Sequence, residues 1–250
     1  MTTRAVIFDL DGCLVDSETL ALEALAAEMR ALGIADATWA DLREDFLGVT
    51  LSVVCRYVAE RLGRPCPSDY AENFYRRLYA SYAAGLRTID GVVELLDRLR
   101  AAGLAIGIAT GGSVDRMQHS LRDTGLDKYF AGRAFSADQV ARGKPAPDLV
   151  LHAAHELGVA PEDCAVVEDS PHGILGAVAA GMRAIGFVGG SHMEGIRERQ
   201  AERLRDAGAD VVVTNTWKLY DAICAPVEST PSRDGKGVGS APERSARPVR

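Results

Sequence analysis

Near its start the chain reads AVIFDLDG (residues 5–12), which is four apolar residues followed by two aspartates that one leucine separates. A short apolar run of this kind is typical of a buried strand in a parallel sheet. Ligands usually bind at the carboxyl edge of such a sheet, so the run predicts that Asp9 and Asp11 lie at a functional edge. The motif alone does not decide this, because two turn-forming aspartates would give the same pattern.

Further short apolar runs follow the first, and amphipathic helical patterns separate them. These runs predict strands at residues 5–8, 104–109, 164–167, 184–188 and 211–213. Strands that alternate with helices are typical of an α/β fold with a parallel sheet.

Residues 17–85 contain helical patterns only, and they separate the first predicted strand from the other four. The simplest explanation is a helical domain inserted after the first strand. We therefore predict a core of residues 1–16 and 88–225 and an inserted cap of residues 17–87. Residues 226–250 are rich in Pro, Gly and Ser and lack aromatic residues, which predicts a disordered tail.

Composition and charge argue against several classes of protein. The chain has 28 basic and 35 acidic residues and a net charge of −7, which leaves no broad cationic face for nucleic acid or for an anionic membrane. No run approaches the length of a membrane helix, and Asp9 interrupts the first apolar run too early for a signal peptide. Five cysteines without a C-x-x-C pair favour free thiols. We expect a cytoplasmic protein, either a monomer or a small homo-oligomer.

Polar residues also follow the other predicted strands. Thr110 ends the second strand and precedes Gly-Gly-Ser and a helix, so free backbone N–H groups there suit a phosphate, although a plain capped turn has the same sequence. Lys144 precedes a proline, which places it in an extended loop. Glu168 and Asp169 follow the next strand, and adjacent carboxylates repel each other unless a cation lies between them.

Two familiar loops are excluded at these positions. A calcium-binding loop that begins at Asp9 would need an oxygen ligand, a glycine and a glutamate where the chain has Cys13, Leu14 and Leu20. A nucleotide-binding P-loop would need a glycine and a hydroxyl residue that the Gly-Lys pair at 143–144 lacks.

The order of these features is more specific than any one of them. A D-x-D-G strand end, a helical insertion, a strand-end threonine, a Lys-Pro pair and Glu-Asp-Ser resemble the haloacid dehalogenase superfamily, whose four motifs occur in this order. The resemblance extends from residue 5 to about residue 223. It implies a Rossmann-like core with helices on both faces of the sheet, a mobile helical cap of the subfamily I type, and an aspartyl-phosphate mechanism that uses Mg²⁺.

The resemblance also implies roles for individual residues. Asp9 corresponds to the nucleophile, and Asp11 to the acid that protonates the leaving oxygen and then activates water. Thr110, Gly111 and Lys144 correspond to the phosphate-binding residues. An anionic nucleophile can approach an anionic phosphate only if cations offset the repulsion, which agrees with these assignments.

The metal ligands are likewise implied by the resemblance. They are the carboxylate of Asp9, the backbone carbonyl of Asp11, and Asp169 with its neighbour Glu168. Oxygen ligands together with water and phosphate suit Mg²⁺ better than zinc.

We expect a Mg²⁺-dependent phosphatase of small phosphorylated metabolites, either sugar or sugar-acid phosphates. Residues 48–51, 117–120 and 135–136 resemble a 6-phosphogluconate phosphatase subgroup. Enzymes of the β-phosphoglucomutase type have a histidine and an arginine in the cap where this chain has Ala21 and Leu51, so a sugar phosphomutase remains an alternative. A non-catalytic sensor of phosphorylated metabolites is another. The cap also has several arginines that are candidates for a substrate carboxylate: Arg43, Arg56, Arg76 and Arg77.

Overall fold

A single parallel sheet forms the centre of the molecule. The structure is a computed structural model and describes residues 3–46 and 49–225. Six strands pair in the order β3-β2-β1-β4-β5-β6. Their bounds are β1 (Ala5–Phe8), β2 (Ala105–Thr110), β3 (Ala134–Ser136), β4 (Cys164–Glu168), β5 (Arg183–Phe187) and β6 (Val211–Val213).

The sequence patterns predict five of these strands, with ends that differ from the structure by at most one residue. The prediction misses β3, which pairs with the end of β2 from Ile108 to Thr110. This strand has three residues and one large apolar side chain, Phe135. Such a segment is too short to show a hydrophobic period, so its position depends on the neighbouring strand.

In the described part of the chain, seven α-helices cover the sheet: α5 (Val92–Ala101), α6 (Val114–Thr124), α7 (Asp127–Phe130), α8 (Asp148–Leu157), α9 (Pro171–Ala179), α10 (Arg197–Asp206) and α11 (Thr216–Cys224). Side chains of β1 alternate between the two faces. Val6 and Phe8 belong to one hydrophobic core with α5 and α11, and Ala5 and Ile7 belong to another with α8, α9 and α10. The predicted α/β fold with helices on both faces is therefore confirmed.

Four more helices lie among the described residues between β1 and α5: α1 (Glu18–Ala31), α2 (Trp39–Phe46), α3 (Leu51–Leu62) and α4 (Tyr70–Gly85). In α4 every fourth residue from Tyr70 to Tyr82 is buried, and this face packs against α1. The two connections to the core run side by side, because Val15 pairs with Thr88 and the Asp16 N–H donates to the Arg87 carbonyl at 2.9 Å.

The domain limits at 17 and 87 remain a prediction. The predicted tail at 226–250 lies outside the described residues, as does Gly48 in the segment 48–51. Among the described helices, none combines the length and the hydropathy needed to cross a membrane.

Candidate active site

Asp9 and Asp11 follow β1 at the carboxyl edge of the sheet. The Asp9 N–H donates to the carbonyl of Val167 at 2.9 Å, which continues the pairing of β1 with β4. The chain then turns through Gly12, whose φ is +78°. A Cβ at this position would lie 2.2 Å from Asp169 Oδ2, so the turn needs glycine both for its backbone conformation and for the space beside Asp169.

Lys144 joins two of the predicted acidic residues. Its ammonium donates to Asp9 Oδ1 at 2.6 Å and forms an ion pair with Glu168. Glu168 also accepts hydrogen bonds from the backbone N–H and the hydroxyl of Ser170, at 3.3 and 3.1 Å. The structure therefore shows Glu168 bound to Lys144 and to the N-terminus of α9. Its role as a metal ligand remains a prediction.

Burial and charge have opposing effects on these groups. Burial raises the pKa of Asp9 well above its usual value, Lys144 opposes this, and Glu168, Asp169 and Asp11 raise it further. Burial likewise raises the pKa of Glu168 against the effect of Lys144. For Lys144, burial disfavours the charged form, but the carboxylates of Asp9 and Glu168 raise its pKa above the ordinary value. Lys144 is therefore a cation, and the acidic cluster needs further positive charge.

Asp11 has a different set of partners from Asp9. Its Oδ1 accepts from the hydroxyl of Ser17 at 2.5 Å and from Arg116 Nη2 at 2.9 Å. Its Oδ2 is 3.5 Å from the hydroxyl of Thr110. Ser17 and Arg116 therefore hold the side chain of Asp11, whereas Lys144 holds the side chain of Asp9.

Arg116 is a site residue that the sequence analysis missed. It lies in the first turn of α6 and contacts Glu18 Oε1 at 3.1 Å and the hydroxyl of Tyr82 at 3.2 Å, in addition to Asp11. It therefore connects the core to α1 and α4 of the inserted helices. The sequence feature that could have indicated Arg116 is its position three residues after Ser113, in a helix that begins at the carboxyl edge of the sheet.

The loop after β2 has the features expected of a phosphate site. Thr110 is buried, and its hydroxyl accepts from the Gly112 N–H at 3.1 Å. The hydroxyl of Ser136 donates to the Gly112 carbonyl at 2.6 Å and holds the loop in place. Ser113 caps α6 by accepting from the Arg116 N–H at 3.2 Å. Nothing lies within 4 Å of a Cβ at Gly111, so the loop is open at that residue.

Asp169 lies against His192, which the sequence analysis also missed. The His192 ring is fully buried, and its Nε2 is 3.0 Å from Asp169 Oδ2. Burial lowers the pKa of His192, but the hydrogen bond and charge of Asp169 outweigh this and raise it overall. Gln200 donates to the Asp169 carbonyl at 2.8 Å. The signal that could have indicated His192 is the Gly-Gly-Ser-His sequence just beyond the fifth strand.

The residues at this edge fit a magnesium ion. Ligand atoms of Asp9, Cys13 and Asp169 lie within 4.8 Å of one another. Burial raises the pKa of the Cys13 thiol well above its usual value, and nearby carboxylates raise it further, so Cys13 is a neutral thiol and the strong donors are oxygens. Asp9, Asp11, Glu168 and Asp169 are all buried, whereas the permanent cations that contact them are Lys144 and Arg116. A divalent cation would correct this imbalance.

A cleft of about 270 Å³ opens between the inserted helices and the loop after β2. Its core side includes Gly111, Gly112, Ser113 and Arg116, and its other side consists mainly of apolar side chains of α1, α3 and α4. A larger cavity of about 400 Å³ lies at the opposite edge of the sheet, near Arg4 and Leu104, away from the acidic residues. The cleft is therefore the candidate substrate site.

The cap arginines named in the sequence analysis do not line the cleft. Arg43 donates to the backbone carbonyls of His192 and Glu194 at 3.3 and 2.8 Å. Arg77 pairs with the buried Glu28, Arg76 bonds to Asn73, and Arg56 is exposed. The cations of these helices thus stabilise the fold or face solvent.

Comparison with known proteins identifies the family to which the chain belongs. The sequence profile of the haloacid dehalogenase-like hydrolases matches residues 3–181. The 6-phosphogluconate phosphatase of Escherichia coli (strain K12) is 32% identical over 190 residues, which cover 76% of this chain and 84% of that protein. The β-phosphoglucomutase of Mycobacterium bovis is 34% identical over 246 residues, with 86% and 91% covered.

Solved structures agree with this match. A HAD family hydrolase from Deinococcus radiodurans R1, solved with bound phosphate and sodium, is 32% identical, has a TM-score of 0.74, and covers 89% of this chain and 95% of its own. The fold and the matched relatives define an enzyme of the phosphatase class, with a parallel α/β core and inserted helices. The chain belongs to the haloacid dehalogenase-like hydrolase family.

Proposed function

We propose that this enzyme is a Mg²⁺-dependent phosphatase of small phosphorylated metabolites, either sugar or sugar-acid phosphates, and that it acts through an aspartyl phosphate on Asp9. The observation that carries the proposal is the contrast between the two aspartates. Asp9 is bound to Lys144, whereas Asp11 is bound to Ser17 and Arg116. Two carboxyl groups in different environments suit two different roles in one reaction.

The chain's own residues suffice for most of the reaction. Thr110 and the backbone N–H of Gly111 bind the phosphate oxygens, as N–H groups before a helix do in other phosphate sites, and the Gly112 N–H holds the Thr110 hydroxyl in place. Lys144 offsets the repulsion between Asp9 and the phosphate, so that a carboxylate oxygen of Asp9 can attack phosphorus. Asp11 gives a proton to the leaving oxygen and afterwards removes one from the water that hydrolyses the acyl phosphate.

Asp9, Asp169 and the backbone carbonyl of Asp11 would hold Mg²⁺. The ion would supply positive charge to the phosphate oxygens as negative charge develops. His192 and Gln200 position Asp169 for this role, since one bonds to its side chain and the other to its backbone carbonyl.

A sugar phosphomutase is the alternative, and a mutase is among the relatives. Such an enzyme must hold a sugar with two phosphates. In this chain Ala21 and Leu51 both line the cleft, and neither can pair with a second phosphate. This favours hydrolysis. A sensor that only binds its ligand would have no need for a nucleophile and a separate acid.

The proposal can be tested with Asp9→Asn and Asp11→Asn and an activated aryl phosphate as substrate. Asp9→Asn removes the attacking anion, so turnover should fall to background. Asp11→Asn should still transfer phosphate to Asp9, because an aryl leaving group needs little protonation, and should then stop for lack of a base. We expect a stoichiometric burst of aryl alcohol and a hydroxylamine-labile acyl phosphate in the Asp11 variant alone.

Two results would contradict these roles. One is labelling of the Asp9 variant, which would mean that a residue other than Asp9 accepts the phosphoryl group. The other is normal turnover by the Asp11 variant, which would remove Asp11 as the acid and base. Asp115→Asn is a matched control, because Asp115 is an acidic residue of α6 that does not line the cleft, and this variant should behave as wild type.

A further inference from the structure

We infer that the leaving group of the substrate is uncharged and rich in hydroxyl groups, and that Glu18 enforces this selectivity. This inference rests on the proposed phosphatase function, and it narrows the substrate class within it.

Among the described residues that line the cleft, Arg116 is the one with a positive charge. The guanidinium of Arg116 is already shared between Asp11 and Glu18, at 2.9 and 3.1 Å. Two carboxylates therefore already offset its single positive charge, which weakens its attraction for a second anionic group on a substrate.

The other charged groups of the cleft are acidic. Glu18 and Asp138 both line it, and Asp138 lies on the exposed side and accepts from the Val114 N–H at 3.1 Å. A carboxylate or a second phosphate on the substrate would face these acidic groups, while the charge of Arg116 is already offset by Asp11 and Glu18. Like charges placed together in this way disfavour binding.

The uncharged part of the lining fits a polyhydroxylated group. Thr50, Ser113 and Tyr75 bring hydroxyl groups to the cleft, and the carboxylates of Glu18 and Asp138 accept hydrogen bonds. Most of the remaining lining is aliphatic or aromatic and comes from the inserted helices. Apolar walls with a few polar groups are typical of small-molecule sites, and here those groups can bind substrate hydroxyls.

A matched pair of substrates tests the inference. Glucitol 6-phosphate and 6-phosphogluconate have the same six-carbon chain and differ at the far end, which is a hydroxymethyl group in the first and a carboxylate in the second. With p-nitrophenyl phosphate as a third substrate, phosphate release is measured at saturating Mg²⁺ and low salt. We expect kcat/KM for glucitol 6-phosphate to exceed that for 6-phosphogluconate by about tenfold or more.

Three variants test whether Glu18 causes the preference for glucitol 6-phosphate over 6-phosphogluconate. Glu18→Gln keeps the shape, removes one of the two carboxylates on Arg116, and should reduce the selectivity ratio by about threefold or more. Glu23→Gln, an exposed position on the same helix, should leave the ratio unchanged. Asp138 is exposed and lies on the other side of the cleft. Asp138→Asn should also reduce the ratio of the two kcat/KM values, and it provides the test if Glu18→Gln does not fold.

The outcomes separate the two proposals. If p-nitrophenyl phosphate is hydrolysed but 6-phosphogluconate is used as well as or better than glucitol 6-phosphate, the selectivity inference is wrong and the phosphatase stands. An unchanged ratio in folded Glu18→Gln and in Asp138→Asn would also overturn it. If the wild type hydrolyses none of the three esters, the proposed function fails, and the inference fails with it.

Discussion

Asp9 and Asp11 are two residues apart in the chain, yet their carboxylates have no partner in common. Lys144 reaches the first from the loop before α8, and Arg116 reaches the second from α6. The position of the Glu168 carboxylate depends on its close contact with the backbone of Gly173, the third residue of α9. A Cβ at Gly173 would lie 1.9 Å from the carboxyl carbon of Glu168. The helix can therefore lie against the carboxylate only because this residue has no side chain.

Gly173→Ala should accordingly destabilise the protein by about 1–3 kcal/mol and reduce kcat, because Glu168 and the attached Lys144 must move. Gly85→Ala is the matched control. Gly85 is exposed at the end of α4 with nothing within 4 Å of a new Cβ, so the change should stabilise the protein by up to about 1 kcal/mol without loss of activity. Urea unfolding and steady-state kinetics measure both. Equal stability of the two variants would refute the steric argument.

At the scale of the element, helix α6 has a dual role. Its N-terminus follows the proposed phosphate loop, and its first turn holds Arg116. Ser113 caps this helix, and Asn215 caps α11 with the same kind of bond, by accepting from the Lys218 N–H at 3.2 Å. Both caps stabilise the fold, but only the cap of α6 lines the cleft.

Ser113→Ala and Asn215→Ala should each destabilise the protein by about 0.5–2 kcal/mol. The activities should differ, since Ser113→Ala loosens the loop that positions the phosphate and Arg116, whereas Asn215→Ala leaves the cleft intact. We expect a raised KM and a lower kcat for the first variant alone, measured below the unfolding transition of both. A similar loss of activity in the two variants would mean that activity follows global stability.

For the whole molecule, the charges that most affect stability are the buried acidic residues at the carboxyl edge of the sheet. Elements from distant parts of the chain bring four buried carboxylates together, and Lys144 and Arg116 offset only part of their charge. The folded protein should therefore gain stability when Mg²⁺ binds there.

Hydrolysis of an aryl phosphate should require Mg²⁺, stop in chelator, and be opposed by Ca²⁺, whose larger and looser coordination misplaces the nucleophile. Mg²⁺ should also raise the melting temperature of the wild type, and should raise it much less for Asp169→Asn. Glu156→Gln, a change at an exposed position, is the control and should respond as the wild type does. Full activity in chelator, or an equal thermal shift in Asp169→Asn, would argue against this metal site.

Much of the fold follows from the sequence alone. Four of the five predicted strands contain at least four apolar residues, enough to show a buried strand, and glycine, proline and helix caps mark the segments between them. Because parallel strands end at one edge, the sequence also predicted that Asp9, Thr110 and Asp169 share an edge. Strand β3 was not predictable in this way, since three residues show no period and only β2 places them.

The pairing of side chains at that edge was decided by the tertiary structure. Arg116, Glu18 and His192 belong to segments with no motif of their own, and each becomes part of the site through an approach across 23 to 105 residues of chain. Burial makes these contacts important for stability, because a charge that is removed from water costs free energy unless an opposite charge or a hydrogen-bond partner lies nearby. The sequence therefore determined which residues end the strands, and only the folded chain decided which of them neutralise one another and which charges remain in the cleft.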